Sequence, residues 1–295
     1  MLTTQQNRGY AYGLVGVVIF ALTLPLTRLA VAEFNPLLLS IGRTVGAALF
    51  ALPLLLATGQ KWPGRQDFGR LLLTALGVVI GFPVLSAIAM QSAPASHGGV
   101  VLGALPLATA AMGTVFAGEK PSWVFWFWSA LASAAVIVFA LWDGGTSLHA
   151  ADALLVLAVI SASMGYAIGG NLSRTLGGWQ VICWVLVIAL PVTLPLTLYY
   201  LPTLTGKESA AAWGSFAYLS LMSQLVGFFA WNKGLALGGV AKVGQVQLLQ
   251  TFITLGASAL FLGEVITFRT LVFAAIVGIC VWFGRKSQVQ NRRGA

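Results

Sequence analysis

Four polar residues inside one apolar stretch carry the first hint of chemistry. Gln247, Gln250, Thr251 and Thr254 stand at i, i+3, i+4 and i+7, so a helix presents them on one face. A second stretch holds Ser220, Ser223, Gln224, Gly227 and Trp231 at similar spacing. A third holds Phe82, Pro83, Ser86 and Met90, and a fourth Tyr166 and Asn171. Unpaired amides are costly in hydrocarbon, so these faces should point into protein or water. They either line a ligand cavity or tie helices together by interhelical hydrogen bonds, and the spacing suits both. Arg43 is the one basic residue well inside an apolar run, about 10 Å deep at 1.5 Å per residue. An intramembrane charge points to function. Arg43 would either pair with a substrate carboxylate, or snorkel and bond to carbonyls and to an outer acid such as Glu33. Pro83 and Pro106 each leave a carbonyl without its helical partner, which either receives a substrate ammonium or bends the helix. His97 reads as a polar interfacial histidine or as a titrating gate.

These residues need helices in lipid to hold them. The chain has 295 residues, of which 58% are hydrophobic and 8% charged, with 34 glycines. Mean hydropathy is +0.90. Soluble domains carry about 25% charge, so this composition excludes a water-soluble enzyme, and its hydrophobicity excludes disorder. Cys183 and Cys280 lie in apolar runs and make neither a disulfide scaffold nor a cysteine zinc site. A bilayer core of about 30 Å takes about 20 apolar residues per helix. Ten such segments can be read, at 9–31, 36–57, 69–91, 97–117, 122–142, 152–173, 178–200, 211–233, 241–262 and 267–284. Period-2 alternation is missing, which argues against an outer-membrane barrel. The first segment is read as a retained helix and not as a cleaved signal peptide.

Charge fixes the expected orientation. With residues 1–8 in the cytoplasm, Arg8, Lys61, Arg65, Arg70, Lys120, Arg174, Lys233, Lys242, Arg285, Lys286, Arg292 and Arg293 fall inside. Arg28, Lys207 and Arg269 fall outside, and twelve against three follows the positive-inside rule. Both termini, including the basic tail 285–295, are therefore expected in the cytoplasm. The net charge of +9 is a topology signal with an affinity for anionic lipid heads, not a nucleic-acid footprint.

The chain also repeats. Thr109, Phe116, Gly118 and Glu119 recur as Thr254, Phe261, Gly263 and Glu264, at an offset of 145 in every pair. The turn Ala93-Pro94-Ala95-Ser96 matches Gly238-Gly239-Val240-Ala241 at the same offset. Residues 9–142 and 152–284 thus read as two copies of a five-helix unit. Five is odd, so the second copy enters the membrane inverted, and such repeats place a substrate site near the midplane.

This arrangement resembles the drug/metabolite transporter superfamily in its ten-helix EamA-type branch. The likeness rests on the two five-span repeats, Ile41-Gly42-Arg43, the Gly-Glu ends at 118–119 and 263–264, and the turn at 93–96. It implies an all-α, basket-like fold with a central cavity, and efflux from the bacterial cytoplasm across the inner membrane. Within the superfamily the overall pattern is most like the exporters of aromatic and neutral amino acids. The second half lacks a counterpart of Pro106, so the two halves need not bend alike.

The expected substrate-binding residues are then Phe82, Pro83, Ser86, Met90, Tyr166, Gln224, Trp231, Gln247, Gln250 and Thr251, with Arg43 and His97 as carboxylate partner or gate. Most tryptophans fall near span ends, where interfacial anchoring accounts for them; Trp126, Trp128, Trp184 and Trp231 do not. No Asp or Glu lies deep in a span, with Glu119, Asp152 and Glu264 at ends, which favours facilitated efflux over proton antiport. There is no Walker loop, no His-Glu-x-x-His and no Gly-x-Ser-x-Gly, and His97 and His149 are the only histidines. The expectation is a monomeric carrier without cofactor, metal or enzymatic activity. The same fold moving another metabolite or drug, a pore and a lipid flippase stay open as alternatives.

Overall fold

The computed structural model describes residues 4–143, 150–286 and 289–291. Ten helical segments lie among them. They are α1 (Thr4–Ala30, with a break at Leu22), α2 (Pro36–Ala57), α3 (Arg65–Ala89), α4 (Ala95–Phe116), α5 (Trp123–Asp143) and α6 (Ala150–Leu172). Then follow α7 (Gly178–Thr203), α8 (210–238), α9 (Val240–Leu262) and α10 (Phe268–Lys286). Seven of them, α1–α4, α6, α7 and α9, are long and apolar enough to cross a membrane. Bulky side chains such as Leu49, Leu56, Val115 and Leu260 stand exposed, a surface that only lipid covers comfortably. This is a multi-pass membrane protein. The tenfold span count expected from sequence extends the set to α5, α8 and α10, whose runs fall outside that criterion.

One element departs from an all-helical expectation. Strand β1 (Glu119–Pro121) pairs antiparallel with β2 (Val289–Asn291), so part of the basic tail folds back on the α4–α5 turn. The tail's Arg292 and Arg293, and His149, lie outside the described residues.

Helix packing relies on small residues. Helix α1 lies against α8, α2 against α7, α3 and α4 against α6, and α5 against α10. A Cβ added at Gly77 would sit 2.7 Å from the Ser161 carbonyl and 2.9 Å from Gly165 Cα, so α3 and α6 touch backbone to backbone. Gly9 meets Gly238 in the same way where α1 crosses α8. Helices α4 and α9 run antiparallel, with Gly99 against Thr254 and Gly244 against Thr109.

The Gly-Glu ends explain themselves in this frame. Gly118 and Gly263 adopt φ of +68° and +64°, the left-handed conformation that stops a helix and suits glycine. Each turn aims the next side chain at the start of the other helix. Glu119 accepts from the Val240 and Ala241 amides at 3.0 and 2.8 Å, and Glu264 from the Ala95 and Ser96 amides at 2.8 Å each. A carboxylate on two orphan N–H groups also meets the positive end of the helix dipole.

Proline breaks are served from neighbouring helices. Pro25 cannot bond the Ala21 carbonyl, and Thr254 Oγ1 donates to it at 2.8 Å instead. Pro83 leaves the Val79 carbonyl to Thr44 Oγ1 at 3.2 Å. Charge-assisted bonds contribute about 1.5–3 kcal/mol each. Glu119→Ala and Glu264→Ala are therefore each expected to lose about 2 kcal/mol or more, read as a lowered unfolding midpoint in detergent. Unchanged midpoints in both variants would refute the capping role.

Candidate substrate site

The central site forms where helix regularity fails. Helix α3 turns π-helical over Ala75–Gly81 and α8 over Tyr218–Val226, and such bulges free backbone carbonyls. Asn35 starts α2 by accepting from the Leu37 and Leu38 amides, which sets the depth at which Arg43 enters the protein. Arg43 is 3% exposed. Its Nε and Nη2 donate to Gln224 Oε1 at 3.0 and 2.5 Å, while Gln224 Nε2 donates to the Val78 carbonyl at 3.3 Å. Among the described residues Arg43 has no carboxylate partner, so Glu33 does not neutralise it; Glu33 binds Ser209 instead. A buried guanidinium thus leans on a neutral amide oxygen, an incomplete compensation for an ionised group.

Around this pair lies a cavity lined by Phe20, Thr23, Arg43, Val78, Phe82, Tyr166, Ser223, Phe228 and Gln250. Its volume is about 10 Å³, room for about one water. Of the residues expected from sequence, Arg43, Phe82, Tyr166 and Gln250 line it, and this cavity is too small to hold an amino acid. One wall is aromatic. Phe20 and Phe228 sit 5.0 Å apart, and Tyr166 lies 5.3 Å from Trp231 and 6.0 Å from Phe228.

The expected residues divide. Arg43, Phe82, Tyr166 and Gln250 line the cavity, Gln224 holds Arg43, and Trp231 backs the aromatic wall. Gln250 Oε1, Gln247 Nε2, Thr251 Oγ1 and Trp231 Nε1 are buried without a hydrogen-bond partner. Buried polar groups are rarely left so. Gln247 Oε1 accepts from Thr109 at 3.3 Å. Pro83 and Ser86 are committed elsewhere. The Ser86 hydroxyl donates to the Phe82 carbonyl at 2.7 Å, and the carbonyl that Pro83 frees, that of Val79, already accepts from Thr44 at 3.2 Å. Met90 is fully buried at the end of α3, where its carbonyl accepts from Arg28. Asn171 bonds the Phe116 carbonyl at 3.1 Å, which is helix packing. Trp184 is buried and Trp126 exposed, while Trp128 stacks on Phe283.

His97 is buried, away from this cavity. Its Nε2 lies 2.7 Å from Asp152 Oδ1, and its ring stacks on Phe139. Asp152 and Glu119 sit at helix ends, as read from sequence, yet both are buried. The lining also includes Phe20, Thr23, Val78 and Phe228, which sequence reasoning missed, since a phenylalanine facing a cavity and one facing another helix look alike. Thr23 alone carries a signal, a hydroxyl in an apolar run, and it bonds Ser223 at 2.8 Å.

A wider pocket of about 710 Å³ opens at the end of the molecule that holds Arg28, Glu33, Ser209 and Glu264. Glu33 accepts from the Ser209 amide and hydroxyl at 2.5 and 2.7 Å, which holds its carboxyl below the usual carboxylate range.

Comparison with known proteins agrees with this architecture. The model of the EamA-like transporter family matches residues 7–141 and again 149–283. The uncharacterized transporter YdeK of Bacillus subtilis (strain 168) is 44% identical over 280 residues, 95% of this chain and 98% of that protein. A probable terminal-alkyne amino-acid exporter of Streptantibioticus cattleyicolor is 26% identical over 84% of each chain. A solved crystal structure superposes with a TM-score of 0.68 at 14% identity, over 94% of this chain and 98% of that one, which is a likeness of fold.

Two outcomes follow from the site. Gln224→Leu strips the guanidinium of its acceptor and should lower stability by about 1–3 kcal/mol, whereas Gln250→Leu removes an already unpartnered oxygen and should change it little; thermal unfolding of both variants separates them. The Glu33 carboxyl, lowered in the folded protein, contributes its full tie above the ordinary value of about 4.3 and loses it as pH falls through the lowered one. Protection factors at 210–212, with exchange corrected for the intrinsic pH dependence of amides, should fall at that acid end and stay flat around neutrality.

Proposed function

Because the chain belongs to the EamA-like transporter family of the drug/metabolite transporter superfamily, we propose that it exports aromatic and neutral amino acids by alternating access. It is a transporter and not an enzyme. The observation that carries the substrate reading is Arg43, a buried cation whose two N–H groups converge on one neutral oxygen. Gln224 Oε1 stands where an oxygen of a substrate carboxylate would accept the same pair of bonds. The aromatic wall of Phe20, Tyr166, Phe228 and Trp231 supplies an apolar surface for the side chain. The named activity of the 26%-identical exporter is in line with this reading.

The carrier comprises two inverted five-helix repeats, 9–142 and 152–284, with both termini in the cytoplasm and the chain in the bacterial inner membrane as a monomer. Three observations support the repeat. The family model matches twice. The π segments of α3 and α8 correspond to within two residues, as do the short 3₁₀ segments at 102–104 and 245–247. Exchanging the halves turns the α1–α8 contact into α6–α3 and leaves α2–α7 and α5–α10 unchanged. Efflux is facilitative, since the cavity lining holds no carboxylate that could carry a proton.

Reconstituted protein should give saturable flux of a labelled aromatic amino acid. Phe, Tyr, Trp, Thr and Met should compete, phenylalanine amide should not, and an imposed pH gradient should not accelerate the flux. Gln224→Glu supplies Arg43 with a built-in carboxylate, so it should raise thermal stability while lowering transport at least about ten-fold. Flux that never saturates would mean a pore, and failure of all five amino acids to compete would overturn the substrate.

A further inference from the structure

A third and larger concavity lies on the flank and shares no lining residue with the central cavity. It is a groove of about 970 Å³ between α1, the end of α2, the α6–α7 turn and the second half of α8. Its polarity is graded along its length. Toward the helix ends it presents Tyr12, Thr58, Arg174, Gln180 and Lys233. Deeper along the same helices it presents Val15, Leu54, Val226, Phe229 and Ala230. On α8 the groove runs from Val226 to Leu237, about 17 Å at 1.5 Å per residue. One leaflet of a hydrocarbon core about 30 Å thick has nearly that depth.

We infer that this groove binds one anionic phospholipid of the cytoplasmic leaflet, its phosphate against Arg174 and Lys233 and an acyl chain along Val226, Phe229 and Ala230. Charge complementarity selects the occupant. The groove carries two cations, both exposed, and no carboxylate among its lining residues. Lys233 is held in place, with Nζ 4.5 Å over the Tyr12 ring. Trp179 sits at the mouth, 6.5 Å from Phe229, as indoles do at the headgroup level. Basic pockets between helices on the cytoplasmic side are the setting in which anionic headgroups bind. The inference rests on the cytoplasmic placement of the N-terminus and not on the transported substrate.

The test is native mass spectrometry of the full chain in detergent, titrated with phosphatidylglycerol or with phosphatidylcholine of the same acyl chains. Wild type should retain one phosphatidylglycerol and little phosphatidylcholine. Arg174→Gln combined with Lys233→Gln should weaken that retention on the order of ten-fold. Arg174→Lys combined with Lys233→Arg should keep it, which separates charge from misfolding. Lys61→Gln with Arg65→Gln removes equal charge from the α2–α3 connection and should leave retention unchanged. Equal retention of both lipids, or equal loss in the two charge-removing variants, would mean diffuse attraction and would overturn the site.

Discussion

The structure depends on two carboxylates that reach across it. Glu119 and Glu264 each end one long helix by capping the first amides of another, and the two bonds run in opposite directions along the α4–α9 pair. Helix starts carry several N–H groups that nothing inside the helix can satisfy, and in a membrane protein water is not always at hand to serve them. One residue type at both ends meets that demand, and it also fixes the register in which α4 and α9 slide past each other. The glycines before them are part of the device, because only a chain turned into the left-handed region aims the glutamate back along the bundle.

Between those fastenings, the interior is organised by an electrostatic deficit. Arg43 is taken out of water, given an amide oxygen to bond, and offered no counter-charge among the described residues. Nearby on α9, glutamine and threonine atoms are buried without partners. A region meant only for stability would be expected to fill such positions with apolar groups, since a buried ion seldom improves on them. The polar groups around this cavity are thus paired with one another only in part.

Much of this was legible in residue types. The 145-residue offset that aligns Glu119 with Glu264 also aligns their amide targets, Ala95 and Ser96 with Val240 and Ala241. Thr254 and Ser86 were not legible, because a hydroxyl on a cavity face and one serving a carbonyl have the same spacing; Thr254 turns to Ala21 and Ser86 to its own helix. The aromatic lining was hidden for a similar reason, since Phe20 and Phe228 are ordinary core residues by composition. His97 was placed by sequence near a surface, and burial beside Asp152 is a tertiary outcome that no local pattern encodes.

The threonines that serve the proline breaks have a mechanical consequence. A carbonyl freed at a kink normally gives a helix an independent hinge. Here Thr254 of α9 holds the kink of α1, and Thr44 of α2 holds that of α3. Neither kinked helix can straighten or fold further alone without rupturing a bond in hydrocarbon. Bending at either break is therefore coupled, through one hydrogen bond, to the neighbouring helix.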